Sequence, residues 1–114
     1  MSRREWRLFV ADMLEASGKI NSYISGLSFE AFQADSRTVD AVVRNLEIIG
    51  EAARAIPVEI KQARPAIDWS ALNGLSNRIV HEYFGLSLTI IWAIILHDLP
   101  VLDVQLRDWI KEHQ

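Results

Sequence analysis

Between Asn77 and Tyr83, the stretch Asn77-Arg78-Ile79-Val80-His81-Glu82-Tyr83 sets an amide, a guanidinium, an imidazole and a phenol in an otherwise apolar region. Histidine is the side chain whose unperturbed pKa, about 6.5, lets it give and take protons near neutrality. A cation and an amide one turn upstream can steady a phosphate beside it. That is the minimum equipment for metal-free RNA cleavage, and no other part of the chain offers a comparable cluster.

The elements that must hold these residues read as helices almost throughout. Trp6, Phe9, Val10, Met13, Leu14, Ile20, Tyr23, Ile24 and Leu27 recur at three- and four-residue spacings, one face of a long first helix. Gly18 is a point where that helix can bend, and Gly26 followed by Ser28 reads as a stop and restart. Ser36 is placed to cap a second long helix burying Val39, Val42, Val43, Leu46, Ile49 and Ala53, with Gly50 on the same stripe. Pro57 ends that helix, and the segment from Pro57 to Ile67 is the least regular connection. Asp68 is expected to cap a third main helix running to about Phe84, with Gly85 as its stop. Ser87 caps a fourth, Leu88 to His97. Asp98-Leu99-Pro100 then restarts a terminal helix burying Leu102, Leu106, Trp109 and Ile110. No alternating strand pattern occurs. The expected fold is all-α, an up-and-down bundle of four to five helices, forming one domain over residues 1–114. Its two long helices carry more apolar face than one small bundle covers, so a homodimer is expected.

Composition narrows the chemistry. The chain has 114 residues, half of them hydrophobic, with a formal charge of −3. It has no cysteine, which excludes disulfides, thiolate zinc sites and cysteine nucleophiles. The acidic balance argues against a stable, nonspecific nucleic-acid binder, so any RNA contact is expected to be local or assembled between subunits. The start of the chain lacks the apolar core of a signal peptide. The longest apolar run, Leu88 to Leu96, is nine residues where a membrane span needs about twenty. A cytoplasmic protein without a membrane segment is expected.

The chain resembles the HepT-like toxins of the HEPN superfamily, the partners of minimal nucleotidyltransferase (MNT) antitoxins. The resemblance rests on Asn45-Leu46-Glu47-Ile48-Ile49-Gly50-Glu51-Ala52-Ala53, Ile67-Asp68-Trp69, Asn77 to Phe84, Ile91-Trp92 and Asp98-Leu99-Pro100-Val101-Leu102. It covers about residues 5–110. The family's signature is an arginine, four intervening residues, a histidine, one residue and a tyrosine. Here His81 takes the histidine and Tyr83 the tyrosine, but Ser76 stands where the arginine is expected. Arg78 lies only three residues before His81.

The resemblance implies a homodimer whose two His81 sites face a shared cleft and cleave RNA, such as tRNA or mRNA, without metal or cofactor. It also implies that the partner antitoxin transfers AMP to Tyr83, blocking the site by bulk and charge. Serine supplies one neutral hydroxyl and no charge, so it does not replace the arginine. The expectation is an impaired nuclease on an intact fold, with Asn77 and Arg78 the remaining phosphate contacts.

Other readings stand beside this one. A lone histidine on an apolar helix is most often structural, Tyr83 can be an interface residue, and Arg78 can pair with Glu82 at i,i+4. Glu47 and Glu51 share a helix face but read as a solvated pair. His97 suits a helix C-terminus. A non-catalytic helical dimer serving as docking subunit or substrate for a nucleotidyltransferase is the alternative function. A nucleotide-binding module is a third, without a glycine-rich phosphate loop to support it.

Overall fold

A computed structural model describes the backbone of residues 5–82 and 87–113, and the side chains of these except 76–82. The periodic stripes become helices α1 (Trp6–Ile24), α2 (Phe29–Ala34), α3 (Ser36–Ala55), α4 (Val58–Gln62), α5 (Trp69–Glu82), α6 (Leu88–Ala93) and α7 (Leu99–Glu112). No strand occurs among the described residues, and the chain forms an all-α helical bundle. Helix α1 runs unbroken through Gly18. It stops where Gly26 takes φ +78°, a left-handed conformation open to glycine without a Cβ clash. Ser28 Oγ then accepts the Ala31 N–H at 3.1 Å and starts α2.

The cap of α3 differs from the expectation. Asp35, not Ser36, holds that position: its carboxylate accepts the Thr38 hydroxyl at 2.7 Å and the Thr38 N–H at 3.2 Å. A carboxylate one residue upstream wins because it takes both donors and adds negative charge at the positive end of the helix. Asp68 and Ser87 cap as expected, accepting the N–H groups of Ala71 at 3.0 Å and Thr89 at 3.1 Å.

The largest correction lies at the C-terminus. Asp98 makes no capping bond and no new helix begins there. Instead a π-helical turn, Ile94–Asp98, joins α6 to α7, with the Leu99 N–H bonded to the Ile94 carbonyl. Pro100 has no N–H for the carbonyl four residues back, and the wider turn just before it accommodates that loss without ending the helix. His97 therefore sits exposed within a helix, not at its C-terminus. The resulting helix, Leu88–Glu112, spans 25 residues and is long and apolar enough to cross a membrane by length and composition, where the nine-residue run by itself was too short. One stripe of it, Ile91, Ile95, Leu99, Leu102, Leu106 and Trp109, is buried in the bundle.

Helix α3 is central, packing along α1 on one side and α5 on the other. Val10, Met13 and Ile20 of α1 meet Val42, Leu46 and Ile49 of α3 in a core with 0% exposure at each. At one end Trp109, 1% exposed, stacks on Trp6 at 4.7 Å and meets the edge of Trp69 at 5.8 Å. At the other, Phe32 of α2 lies 4.9 Å from the ring of Trp92. The buried Ser17 hydroxyl donates to Asp103 at 3.0 Å, and Arg107 holds the second oxygen of that carboxylate at 2.6 Å, tying α1 to α7.

Replacing Trp109 with alanine removes the ring shared by three elements and should lower unfolding free energy by about 3–5 kcal/mol, read from urea midpoints. A second expectation concerns acid. The Thr38 hydroxyl, then the Thr38 N–H, hold the Asp35 carboxyl below its ordinary value of 3.8. A folded-state pKa below the unfolded one stabilises the fold above the unfolded value, and that contribution fades as pH falls through the folded value. The Tm difference between the parent chain and Asp35→Asn should therefore narrow in acid; a gap that widens there contradicts this account.

Candidate functional site

Ser76, Asn77, Arg78 and His81 all lie on α5, so what fixes that helix fixes their positions. Its first turn is pinned from outside. The Trp69 indole N–H donates to the carbonyls of Arg64, at 3.0 Å, and Lys61, at 3.1 Å. The Lys61 ammonium lies 5.8 Å from the Trp69 ring and the Arg64 guanidinium 5.7 Å from that of Trp109. Arg64 also pairs with Glu112 at the end of α7. Gln105 donates to the Ala66 carbonyl at 3.1 Å, and Ile67 is 3% exposed. The irregular connection is thus anchored to both α5 and α7. Leu72 and Leu75, each 9% exposed, then seat α5 against the core.

Because α5 continues without a break to Glu82, Ser76, Asn77, Arg78 and His81 occupy register positions on one helix. At about 100° per residue, positions 77 and 78 lie roughly 40° and 60° from position 81, and position 76 about 140°. The backbone thus places the amide and guanidinium positions nearer the histidine than Ser76. The side chains of Ser76, Asn77, Arg78 and His81, and all of Tyr83, Phe84 and Gly85, lie outside the described residues.

Two features of α5 are invisible in the linear pattern. A groove of about 690 Å³ runs between α5, α3 and the C-terminal helix, lined by Leu46, Leu72, Gly74, Leu75, Ile90 and Val101 among others. Its polar lining includes Asp68 and Asp98, carboxylates that repel phosphate. The groove is therefore suited to apolar side chains and unsuited to an RNA backbone. The second feature is Asn73, whose Oδ1 is buried with no partner among the described residues. No sequence signal distinguishes it from a surface asparagine.

Glu47, half of the paired carboxylates on α3, is ion-paired with Arg44 at 3.3 Å. Among the described residues, no group of three or more metal-capable side chains comes together. His97 is exposed on the C-terminal helix, and His113 meets the edge of Trp6 at 5.1 Å.

The chain is similar to one family of known proteins and to several individual relatives. A family model described as "Ribonuclease HepT-like" matches residues 13–108. The protein named "Putative RNase MJ0127" of Methanocaldococcus jannaschii is 31% identical over 98% of this chain and 93% of its own length. "Putative RNase TTE0752" of Caldanaerobacter subterraneus is 32% identical over 95% and 96%. "Probable ribonuclease HepT" of Thermococcus cleftensis is 34% identical over 88% and 91%. No solved structure matches.

Trp69→Phe keeps the ring but removes the indole N–H, leaving the Lys61 and Arg64 carbonyls only the backbone N–H groups of Arg64 and Ile67 and cutting the side-chain tie to α5. The expected loss is about 1–2 kcal/mol in urea unfolding, with faster amide exchange concentrated at the start of α5.

Proposed function

The chain belongs to the ribonuclease HepT-like family, and from that premise we propose that it is the toxin half of a HEPN/MNT toxin–antitoxin pair, built as a metal-independent endoribonuclease. The observation that carries this reading is the match over residues 13–108, which includes His81 and Tyr83 and coincides with an unbroken α5 under positions 76–82. The chain works as a single helical domain in the cytoplasm, as a homodimer, on an RNA such as tRNA or mRNA.

In the reaction a ribose 2′-hydroxyl attacks the adjacent phosphorus. Its proton passes to a base, the bond to the 5′-oxygen breaks, and an acid protonates that leaving oxygen. The products are a 2′,3′-cyclic phosphate and a 5′-hydroxyl end. His81 supplies proton transfer, which contributes typically about 10²–10⁴-fold. Arg78 and Asn77 contact the phosphate. Ser76 occupies the motif arginine's position without its charge, so the transition state lacks a bidentate cation and the nuclease is impaired. Tyr83 is the acceptor for AMP: its phenolate oxygen attacks the α-phosphorus of ATP, releasing pyrophosphate, and the adduct blocks the RNA site.

The second reading is a non-catalytic dimer that docks to, and is modified by, its nucleotidyltransferase; Ser76 is the observation that favours it.

The deciding experiment incubates the parent chain, Ser76→Arg and Ser76→Arg/His81→Ala with defined tRNA and mRNA in EDTA and maps the ends. Ser76→Arg should raise cleavage on the order of 10²–10³-fold, leaving cyclic phosphates, with the added His81→Ala abolishing it. Full activity in the parent chain would refute the account of Ser76. Inactivity of Ser76→Arg on both RNAs would transfer support to the docking reading. Intact-mass analysis after co-expression with the nucleotidyltransferase should show AMP added to the parent chain and not to Tyr83→Phe.

A further inference from the structure

Most described cations of the bundle are already matched to acids: Arg7, Lys19, Arg44, Arg64 and Arg107 each sit in an ion pair. Arg54, exposed in the last turn of α3, makes no hydrogen bond or ion pair among the described residues. Lys61 on α4 has no carboxylate beside its ammonium among them either; that group faces the half-buried Trp69 ring at 5.8 Å. These two cations line the same open depression, of about 470 Å³, where the end of α3, α4 and the start of α1 meet. Phe9, Pro57 and Val58 give it an apolar side, with Val58 63% exposed. Glu59 is the carboxylate of its lining.

Two cations beside exposed hydrocarbon suit a ligand that is anionic along one edge and flat and apolar on another. A nucleotide of single-stranded RNA has that form. Its phosphate oxygens accept from a guanidinium and an ammonium, and its base lies against ring and hydrocarbon. The depression is also fixed relative to the candidate site. The Lys61 carbonyl accepts the Trp69 indole N–H, which ties α4 to the first residue of α5. Position 81 lies twelve residues further along that helix, about 18 Å away along the axis and a third of a turn around it. A stacked strand advances about 3.4 Å per nucleotide, so roughly five nucleotides cover that length.

We propose that Arg54 and Lys61 form a second RNA contact, holding a nucleotide of the single strand roughly five positions from the phosphate cut at position 81. This rests on the nuclease reading and gives its substrate a preference for single-stranded RNA long enough to reach both places. Glu59 opposes the phosphate and keeps the contact weak, so that a chain of formal charge −3 grips RNA at one corner and not over its whole surface.

The test measures binding of the full chain to a labelled single-stranded RNA of about twelve nucleotides by fluorescence anisotropy in EDTA. The RNA is 2′-O-methylated, so it lacks the attacking hydroxyl and stays uncut. Arg54→Gln/Lys61→Gln should weaken binding about tenfold and flatten the dependence of log K on log salt by about 1.4, two phosphate contacts at about 0.7 each. Arg37→Gln/Lys111→Gln removes the same charge from exposed positions outside the depression and should change affinity far less. Glu59→Gln should tighten binding severalfold, a change of sign that a damaged fold does not produce. Equal losses in the two double variants mark diffuse attraction and overturn the proposal, as does an unchanged affinity in Arg54→Gln/Lys61→Gln; both leave the nuclease reading standing. An RNA that the parent chain does not bind overturns it as well. The expected pattern of affinities without any cleavage by Ser76→Arg upholds the contact and removes the nuclease reading.

Discussion

A single helix, α5, buries one stripe against the core, and the elements around it fix which stripe that is. Leu72 and Leu75 sink into the core, while positions 77 and 81 fall on a different part of the same cylinder. With 3.6 residues per turn, such a division holds only if the helix cannot rotate about its axis. Two buried leucines resist rotation by packing alone. The Trp69 indole adds a directional restraint, because one N–H shared between two carbonyls fixes the first residue of α5 relative to the connection before it.

That connection is in turn held by the C-terminal helix. Arg64 reaches Glu112 and the Trp109 ring, Gln105 reaches Ala66, and Trp109 lies between Trp6 and Trp69. The ion pair is partly exposed, so its own contribution is small. Its effect is to keep a guanidinium over an indole whose burial supplies the larger share. In this way residues more than a hundred positions apart, Trp6 and Trp109, determine where α5 begins. The π turn belongs to the same arrangement: without it Pro100 would end or kink the helix, and the stripe from Ile91 to Trp109 would not run straight enough to serve both ends of the bundle.

Much of this was legible in the linear pattern. The helical class, the buried stripes of α1 and α3, the stops at Gly26 and Pro57 and the caps at Asp68 and Ser87 all follow from local rules that operate within a turn or two. The order of motifs from Asn45 to Leu102 also carried the family. The failures share a cause. At Asp35 and Ser36, two good capping residues stood side by side, and the choice turned on the position of Thr38, a geometric detail. At Asp98-Leu99-Pro100, a sequence that ordinarily opens a helix was overridden because Ile95, Leu99 and Leu102 each gain more from staying on one continuous buried stripe.

By itself the sequence determined the chemistry available: one imidazole, one amide and one guanidinium within a helical turn or so, a serine at position 76, and no thiol. These are properties of composition and spacing, and no packing alters them. Only the tertiary structure decided that α5 is clamped through Trp69, that Asn73 holds a buried oxygen without a partner among the described residues, and that Gly74 opens onto an apolar groove. Those facts depend on which distant surfaces meet, and hydrophobic burial is non-directional, so periodicity can say that a face is buried without saying against what.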